Sequence, residues 1–369
     1  MSRSQRAKPI FLAAGGTGGH LFPAEALGVC LKEKGYDVHL VTDMRGENYE
    51  NQLKDDPKHV VLSATIKRGL LGKIKTLFFL CFGLMQSFFI LLRYRPHIVI
   101  GFGGYPSFPI MKMAQILGFK TIIHEQNGTL GVANKMLKKK ATAIATSLPN
   151  IQNINNADKQ KICMTGNPVR PVILDHAKTP YRRPKEDGAF RLLVTGGSQG
   201  AHIFSEIVPD AIALLPETLQ KRLHIVQQCR AEDIETVRAR YHDISVTVSL
   251  SSFITNIAEE IAQSHLIICR SGASTVAEIA VIGRPAIFVP LMVHKDQQQK
   301  INANALVEND AGWLMVEDGF TTEALSKQIE TLMHLPEKLK TTAHNAKKCG
   351  HPDAAENLAK LVISVIKKL

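Results

Sequence analysis

Cysteine is sparse, with six in 369 residues, and Cys30, Cys81, Cys163, Cys229, Cys269 and Cys349 form no C-x-x-C pair. Neither a disulfide framework nor a zinc site of the usual spacing is expected, and a reducing compartment fits best. No G-x-x-x-x-G-K-[ST] occurs, which excludes a P-loop nucleotidase. A G-x-G-x-x-G fingerprint is also missing: Gly16-Thr-Gly-Gly-His-Leu21 has leucine where the third glycine belongs. This argues against a nicotinamide or flavin enzyme, although Asp43 closes a second strand as a ribose-binding acid would. No Asp-x-Asp pair is present to hold a metal on a diphosphate. The six residues Pro9 to Ala14, between the basic N-terminus and Gly15, are too few for a secretory apolar core.

Acidic residues are absent from Pro57 to His124, where Lys58, Lys67, Arg68, Lys73, Lys75, Arg93, Arg95, Lys112 and Lys120 stand uncompensated. The formal charge of +12 therefore sits in the first half, and an anionic partner is expected there. Inside that stretch lies the apolar run Leu77 to Leu92, broken only by Gly83, Gln86 and Ser87. As a helix it reaches roughly 24 Å, short of the ~30 Å hydrocarbon core, so no span is expected. Two readings stay open and are compatible. The stripe 78/82/85/89/92 faces inward onto a sheet, or Phe78, Phe82 and Phe89, ringed by Lys73, Lys75 and Arg93, dip into an anionic bilayer face. Nucleic acid is the poorer partner, because the run is greasy rather than aromatic residues interleaved with arginine, and no nucleic-acid-binding motif appears.

Short apolar or β-branched runs alternate with helical periodicity: Ile10–Ala14, Asp37–Thr42, Ile98–Gly101, Thr121–His124, Ala143–Thr146, Arg191–Thr195, His224–Gln227, Leu266–Cys269 and Ala286–Pro290. That is an α/β, mostly parallel signature. Each half opens with a strand, glycines and a helix, and Gly15-Gly16 and Gly196-Gly197 are half a chain apart, so two Rossmann-like domains in tandem are expected. The prolines of Gly166-Asn-Pro-Val-Arg-Pro171 and the polar Asp175–Gly188 segment read as a linker. The expected domains are 1–170 and 171–349, with a terminal helix in 350–369 packing back on the first.

Three glycine-rich turns, Gly15–His20, Gly101–Ser107 and Gly196–Gly200, suit a pyrophosphate, because glycine lets the backbone approach and free N–H groups at a helix start donate to the anion. Glu278 offers two acceptors for a ribose diol, whereas Thr275-x-x-Glu278 is also a capping box that needs no ligand. Gln297, Gln298 and Gln299 can satisfy sugar hydroxyls or simply begin a solvated helix.

Taken together, Gly15–His20, His124-Glu-Gln-Asn127, Gly166-Asn-Pro-Val-Arg170, Gly196–Ala201, Cys269-Arg-Ser-Gly-Ala273 and His294-Lys-Asp-Gln-Gln298 resemble the MurG family, in the family's order and over nearly the whole chain. These bacterial transferases add N-acetylglucosamine from UDP-N-acetylglucosamine to undecaprenyl-pyrophosphoryl-muramyl-pentapeptide, completing the lipid-linked peptidoglycan precursor. The resemblance implies the GT-B fold, two Rossmann-like domains facing across a cleft, and a peripheral place on the cytoplasmic face of the inner membrane. It also implies a donor site in which Ser198 and Gln199 contact the diphosphate, Ile254 the uracil through its backbone, Glu278 the ribose and Gln298 or Gln299 the sugar. Ala273, Ser274, Thr275, Val276 and Ala277 line that site, and Thr17, Gly18, Gly19, Asn127 and Arg170 complete it. Gly15, Gly16, His20, Gly103, Gly104 and Tyr105 would hold acceptor pyrophosphate. The chain departs from the family at Ser274 and Ala277, where leucine and serine are usual. It also carries one extra residue between Pro290 and His294, and its apolar patch lacks tryptophan.

The family inverts an α-linked donor, so the acceptor's carbon-4 hydroxyl attacks in one displacement and a base must take its proton. His20 is the first candidate, either as that base or as a group positioning the pyrophosphate, and Glu125 and Asn127 are next for orienting the nucleophile. No cofactor or metal site is required, and a magnesium activator is compatible. Two rivals remain, a UDP-N-acetylglucosamine 2-epimerase of the same fold and a non-catalytic membrane-surface binder.

Overall fold

The computed structural model describes residues 8–16, 18–47, 52–63, 69–197, 200–292 and 297–368, leaving out the side chains of 70–75. The chain divides into two compact units, residues 1–170 with 353–369, and residues 171–352.

In the first unit, seven parallel strands are β1 (Ile10–Ala13), β2 (Val38–Thr42), β3 (Lys58–Val60), β4 (Ile98–Gly101), β5 (Thr121–Glu125), β6 (Ala143–Thr146) and β7 (Ile162–Met164), in the order β3-β2-β1-β4-β5-β6-β7. The central strands read as unbroken apolar runs because helices cover both faces. On one face, Ile10, Leu12, Ile98 and Ile100 pack with Leu21, Leu27 and Leu31 of the Gly18–Glu33 helix. The same cluster takes in Leu358, Ala359, Val362 and Val365 of the C-terminal Ala354–Lys367 helix, and Cys30 and Lys34 bond Glu356 across that helix pair. On the other face, Phe11, Ala13 and Val99 pack with Ile110, Met111, Ala114 and Leu91.

The second unit contains β8 (Phe190–Thr195), β9 (Leu223–Gln228), β10 (Thr247–Ser251), β11 (Leu266–Cys269), β12 (Ala286–Phe288) and β13 (Trp313–Leu314), all parallel, in the order β10-β9-β8-β11-β12-β13. Each unit thus contains the doubly wound Rossmann order, with its first and fourth strands adjacent where the winding reverses. Four further strands, β3, β7, β10 and β13, add to the sequence expectation; they are the edge strands of the two sheets, partly exposed and in three cases only two or three residues long, which leaves a weak signal in the sequence. A short helix, Pro171–His176, stands where a linker was expected, since proline at a helix start sacrifices no bonded N–H.

Of the two readings of the Leu70–Tyr94 helix, the one that packs its stripe onto the sheet is corrected. Its 78/82/85/89/92 stripe faces outward, with Phe78 67%, Phe82 39% and Phe89 62% exposed. The packed face is instead Gly83, Ser87 and Leu91, spaced at i and i+4. A Cβ at Gly83 would overlap the Leu62 carbonyl oxygen, and Gln86 accepts the Leu62 N–H at 2.9 Å. Small residues allow that close approach, so the greasier stripe is left outside. The segment Thr76–Tyr94 is long and apolar enough to cross a membrane by length and composition alone.

Candidate active site

In the first unit the glycine loops after β1 and β4 lie side by side, because those strands pair in register from Ile10 with Ile98 to Ala13 with Gly101. Loops at such a switch point, outside the carboxyl ends of the strands, are where this architecture holds ligands. Asp43 anchors the first loop, accepting the Gly16 and Gly46 N–H groups, each at 3.1 Å, and pairing with Arg45. Its carboxylate is therefore a strut for the loop rather than a ribose acceptor. The side chain of Phe22 lies against Gly18, and the Arg170 guanidinium stacks 4.1 Å from its ring centroid. Thr17 lies outside the described residues.

His20, near the start of the Gly18–Glu33 helix, lies against the second loop. A Cβ at Gly104 would stand 3.2 Å from its Nε2, and one at Gly103 3.5 Å from its Cε1. Both glycines have φ in the left-handed region, +82° and +72°, so conformation and space together require them. Burial pushes the His20 imidazole below its ordinary value, opposed by the Glu125 carboxylate, by Gln126 and by the Phe102 carbonyl. It is held neutral at pH 7, the form a base needs. Tyr105 lies partly exposed at the start of the Gly104–Ile116 helix.

The end of β5 supplies the next residues. Glu125 is 2% exposed and accepts four hydrogen bonds: the Asn127 N–H and Nδ2 at 3.1 Å, and the Gly131 N–H and Asn134 Nδ2 at 2.8 Å. With both oxygens occupied it shapes the 125–134 loop and orients Asn127, which is a positioning role. His124 is buried next to it and pushed down to about 4 by desolvation. Sequence reasoning gave no role to Gln126 or Asn134; a polar triplet closing a buried strand is the signal that could have found Gln126, whereas Asn134 lies in the Val132–Leu137 helix with no such signal.

In the second unit the pattern recurs at the β8–β11 switch point. Gln228 fastens the loop after β8, its Oε1 accepting from Thr195 Oγ1 at 2.9 Å and the Gly196 N–H at 3.2 Å, and its Nε2 donating to the Gly197 and Ser252 carbonyls. Ser198 and Gln199 lie outside the described residues. After β11 the Ala273–Ile282 helix begins with Gly272 as N-cap, not Thr275, so the expected capping box does not form. Thr275 and Glu278 lie within the helix, and Glu278 is buried. The far end of that helix is tied by buried Arg284, which donates to the Ile282, Gly283 and Ala262 carbonyls. Ile254 is buried beside exposed Phe253. Gln298 and Gln299 open the Gln298–Val307 helix, and Gln299 Oε1 accepts the Leu291 N–H at 2.9 Å. His294 lies outside the described residues. Among the described residues no three His, Cys, Asp or Glu side chains converge as metal ligands.

Residues 10–146 match the N-terminal domain of glycosyltransferase family 28, and residues 191–358 match its C-terminal domain. A relative from Rhodospirillum centenum is 47% identical over 96% of this chain and 94% of its own length. It is named UDP-N-acetylglucosamine--N-acetylmuramyl-(pentapeptide) pyrophosphoryl-undecaprenol N-acetylglucosamine transferase. The chain belongs to the MurG family. The crystal structure of Acinetobacter baumannii MurG matches with a TM-score of 0.76 at 28% identity, covering 98% of this chain and all of that one. The glycine loops, the His124–Asn127 strand end and the Ala273–Ile282 helix are thus features of a MurG-family glycosyltransferase with the GT-B fold. A UDP-N-acetylglucosamine 2-epimerase from Neisseria meningitidis has a TM-score of 0.66 at 14% identity, covering 98% of this chain and 100% of that one, a likeness of fold alone.

Proposed function

We propose that this chain is an inverting transferase that moves N-acetylglucosamine from UDP-N-acetylglucosamine to the carbon-4 hydroxyl of undecaprenyl-pyrophosphoryl-muramyl-pentapeptide. The near full-length identity to transferases of that name carries the reading. His20 is the base. It is held neutral, and its Nε2 lies along Gly104, beside the loops that would hold acceptor pyrophosphate on Gly15, Gly16, Gly103, Gly104 and Tyr105. Helix starts aimed at phosphates stabilise negative charge without reorganising as it forms. Asn127, oriented by Glu125, positions the nucleophile. In the donor site Ser198 and Gln199 hold the diphosphate, Ile254 the uracil and Glu278 the ribose. The sugar hydroxyls fall to Gln298 or Gln299 at the start of the Gln298–Val307 helix, where the Gln299 oxygen also accepts the Leu291 N–H.

The outward stripe of Phe78, Phe82 and Phe89, with Arg93 and with Lys73 and Lys75, whose side chains lie outside the described residues, supports an anionic membrane surface as partner. The helix would lie in the interface, because its Gly83–Leu91 face is already packed on the unit. Replacing His20 with Ala tests the central role. Loss of turnover on the order of 100-fold or more with UDP-N-acetylglucosamine affinity retained is expected of a lost base. Unchanged kcat would remove His20 from the reaction.

A further inference from the structure

Behind the candidate base lies a line of polar groups that the transfer reaction does not itself require. The Gly166 carbonyl faces His124 Nε2 at 3.1 Å, which fixes the His124 proton on Nε2, since a carbonyl only accepts. His124 Nδ1 is then an acceptor, and it receives the Gln126 amide N–H at 3.1 Å. The same amide nitrogen donates to the Phe102 carbonyl at 2.8 Å. Two acceptors on one side of the Gln126 amide leave a single orientation, with Oε1 turned away from both. Gln126 Oε1 and His20 Nδ1 are each buried without a hydrogen-bond partner. A Cβ at Gly103, the residue after the Phe102 carbonyl that Gln126 bonds, would stand 3.7 Å from His20 Nδ1, so the His20 ring and the Gln126 amide border the same stretch of backbone. A proton on His20 Nδ1 would offer the unpaired Gln126 Oε1 a donor to turn to, whereas a proton on Nε2 leaves Nδ1 and Oε1 both acceptors.

We propose that Gly166, His124 and Gln126 form a relay that holds His20 as its Nδ1–H tautomer, so that Nε2, beside Gly104, carries the lone pair that accepts a proton. Gln126 is the positioning residue of this relay and touches no reacting atom. The carboxylate that orients a histidine elsewhere is replaced here by a neutral amide whose direction is set by His124. The nearby Glu125 oxygens are committed to Asn127, Gly131 and Asn134. Burial keeps His124 neutral and so preserves its acceptor at Nδ1.

The inference rests on His20 being the base, and its test separates the two. Nitrogen-15 NMR of the full chain labelled in histidine, with the His20→Ala spectrum used to assign His20, reads the tautomer directly. A protonated Nδ1 and an unprotonated Nε2 are expected near pH 7.5; the reverse assignment, or a fast average of the two, overturns the relay. Gln126→Met keeps the side-chain length and removes both amide groups. It is expected to release His20 into a tautomer mixture and to lower kcat by about 10-fold or more, with the KM for UDP-N-acetylglucosamine unchanged within about twofold. An unchanged kcat with unchanged histidine resonances also overturns it. If Gln126→Met does not fold, the wild-type tautomer alone decides. Should His20→Ala retain wild-type turnover, the base assignment fails, while the resonances still report whether the relay exists.

Discussion

Replacing Glu125 with Gln should disturb folding before it disturbs chemistry. The carboxylate accepts four hydrogen bonds, two from backbone N–H groups and two from asparagine amides, while 2% exposed. Glutamine keeps one acceptor oxygen and turns the other into an NH2 group facing two donors, so two of the four bonds are lost. Hydrogen bonds to a charged group contribute roughly 1.5–3 kcal/mol each, so the loss is about 3–6 kcal/mol before the loop relaxes. At about 2–4 °C per kcal/mol for a unit of this size, the melting transition of the first unit should fall on the order of 10 °C. Two units need not unfold together, so calorimetry should be paired with hydrogen exchange by mass spectrometry. Peptides spanning 125–134 should lose protection, and those spanning 190–290 should not. A Glu125→Gln protein within about 1 kcal/mol of wild type, with the 125–134 amides still protected, would refute the assignment of Glu125 as the organiser of that loop.

Three further outcomes follow from other parts of the molecule. Changing Phe78, Phe82 and Phe89 together to Ser should lower the melting temperature only modestly, because Phe78 and Phe89 are largely exposed and Phe82 is partly so, while weakening binding to anionic vesicles on the order of 100-fold; unchanged sedimentation with vesicles would remove the membrane role. His124 is held down to about 4 in the folded state against about 6.5 unfolded, so the unfolded chain takes up the proton first. Stability should decline as pH falls from about 6.5 to about 4, by about 3 kcal/mol from this group, and His124→Phe should flatten that slope in urea titrations across the window. Gln228→Leu removes the bonds that fasten Gly196, Gly197 and Ser252, and should weaken UDP binding by calorimetry on the order of 10-fold or more; an unchanged Kd would show that the loop holds its shape without it.

What could be read from the sequence follows the physics of burial. Strands such as Ile10–Ala13 and Leu266–Cys269 are covered on both faces and therefore apolar throughout, so the parallel fold class was legible from them. Lys58–Val60 and Thr247–Ser251, half-exposed near or at sheet edges, carry no such signal. In the Leu70–Tyr94 helix, hydrophobicity pointed to the wrong face, because Gly83 and Ser87 pack through closeness rather than through apolar area. Thr275 and Glu278 have capping-box spacing, but Gly272 begins the helix, and spacing alone does not reveal where a turn ends. The glycine loops were legible because a strand, its glycines and a helix start follow one another directly in sequence. The duties of Glu125, Asp43 and Gln228 were not, since their partners are largely backbone N–H and C=O groups that every residue carries.

The central claim is tested most directly by following labelled sugar from UDP-N-acetylglucosamine onto a synthetic prenyl-pyrophosphoryl-muramyl-pentapeptide in detergent, with acceptor-free and UDP-N-acetylgalactosamine controls. A β-linked disaccharide product that requires both the correct donor and the acceptor is the predicted result. A sugar altered at carbon 2 without transfer, or UDP-sugar bound with no turnover, would contradict it.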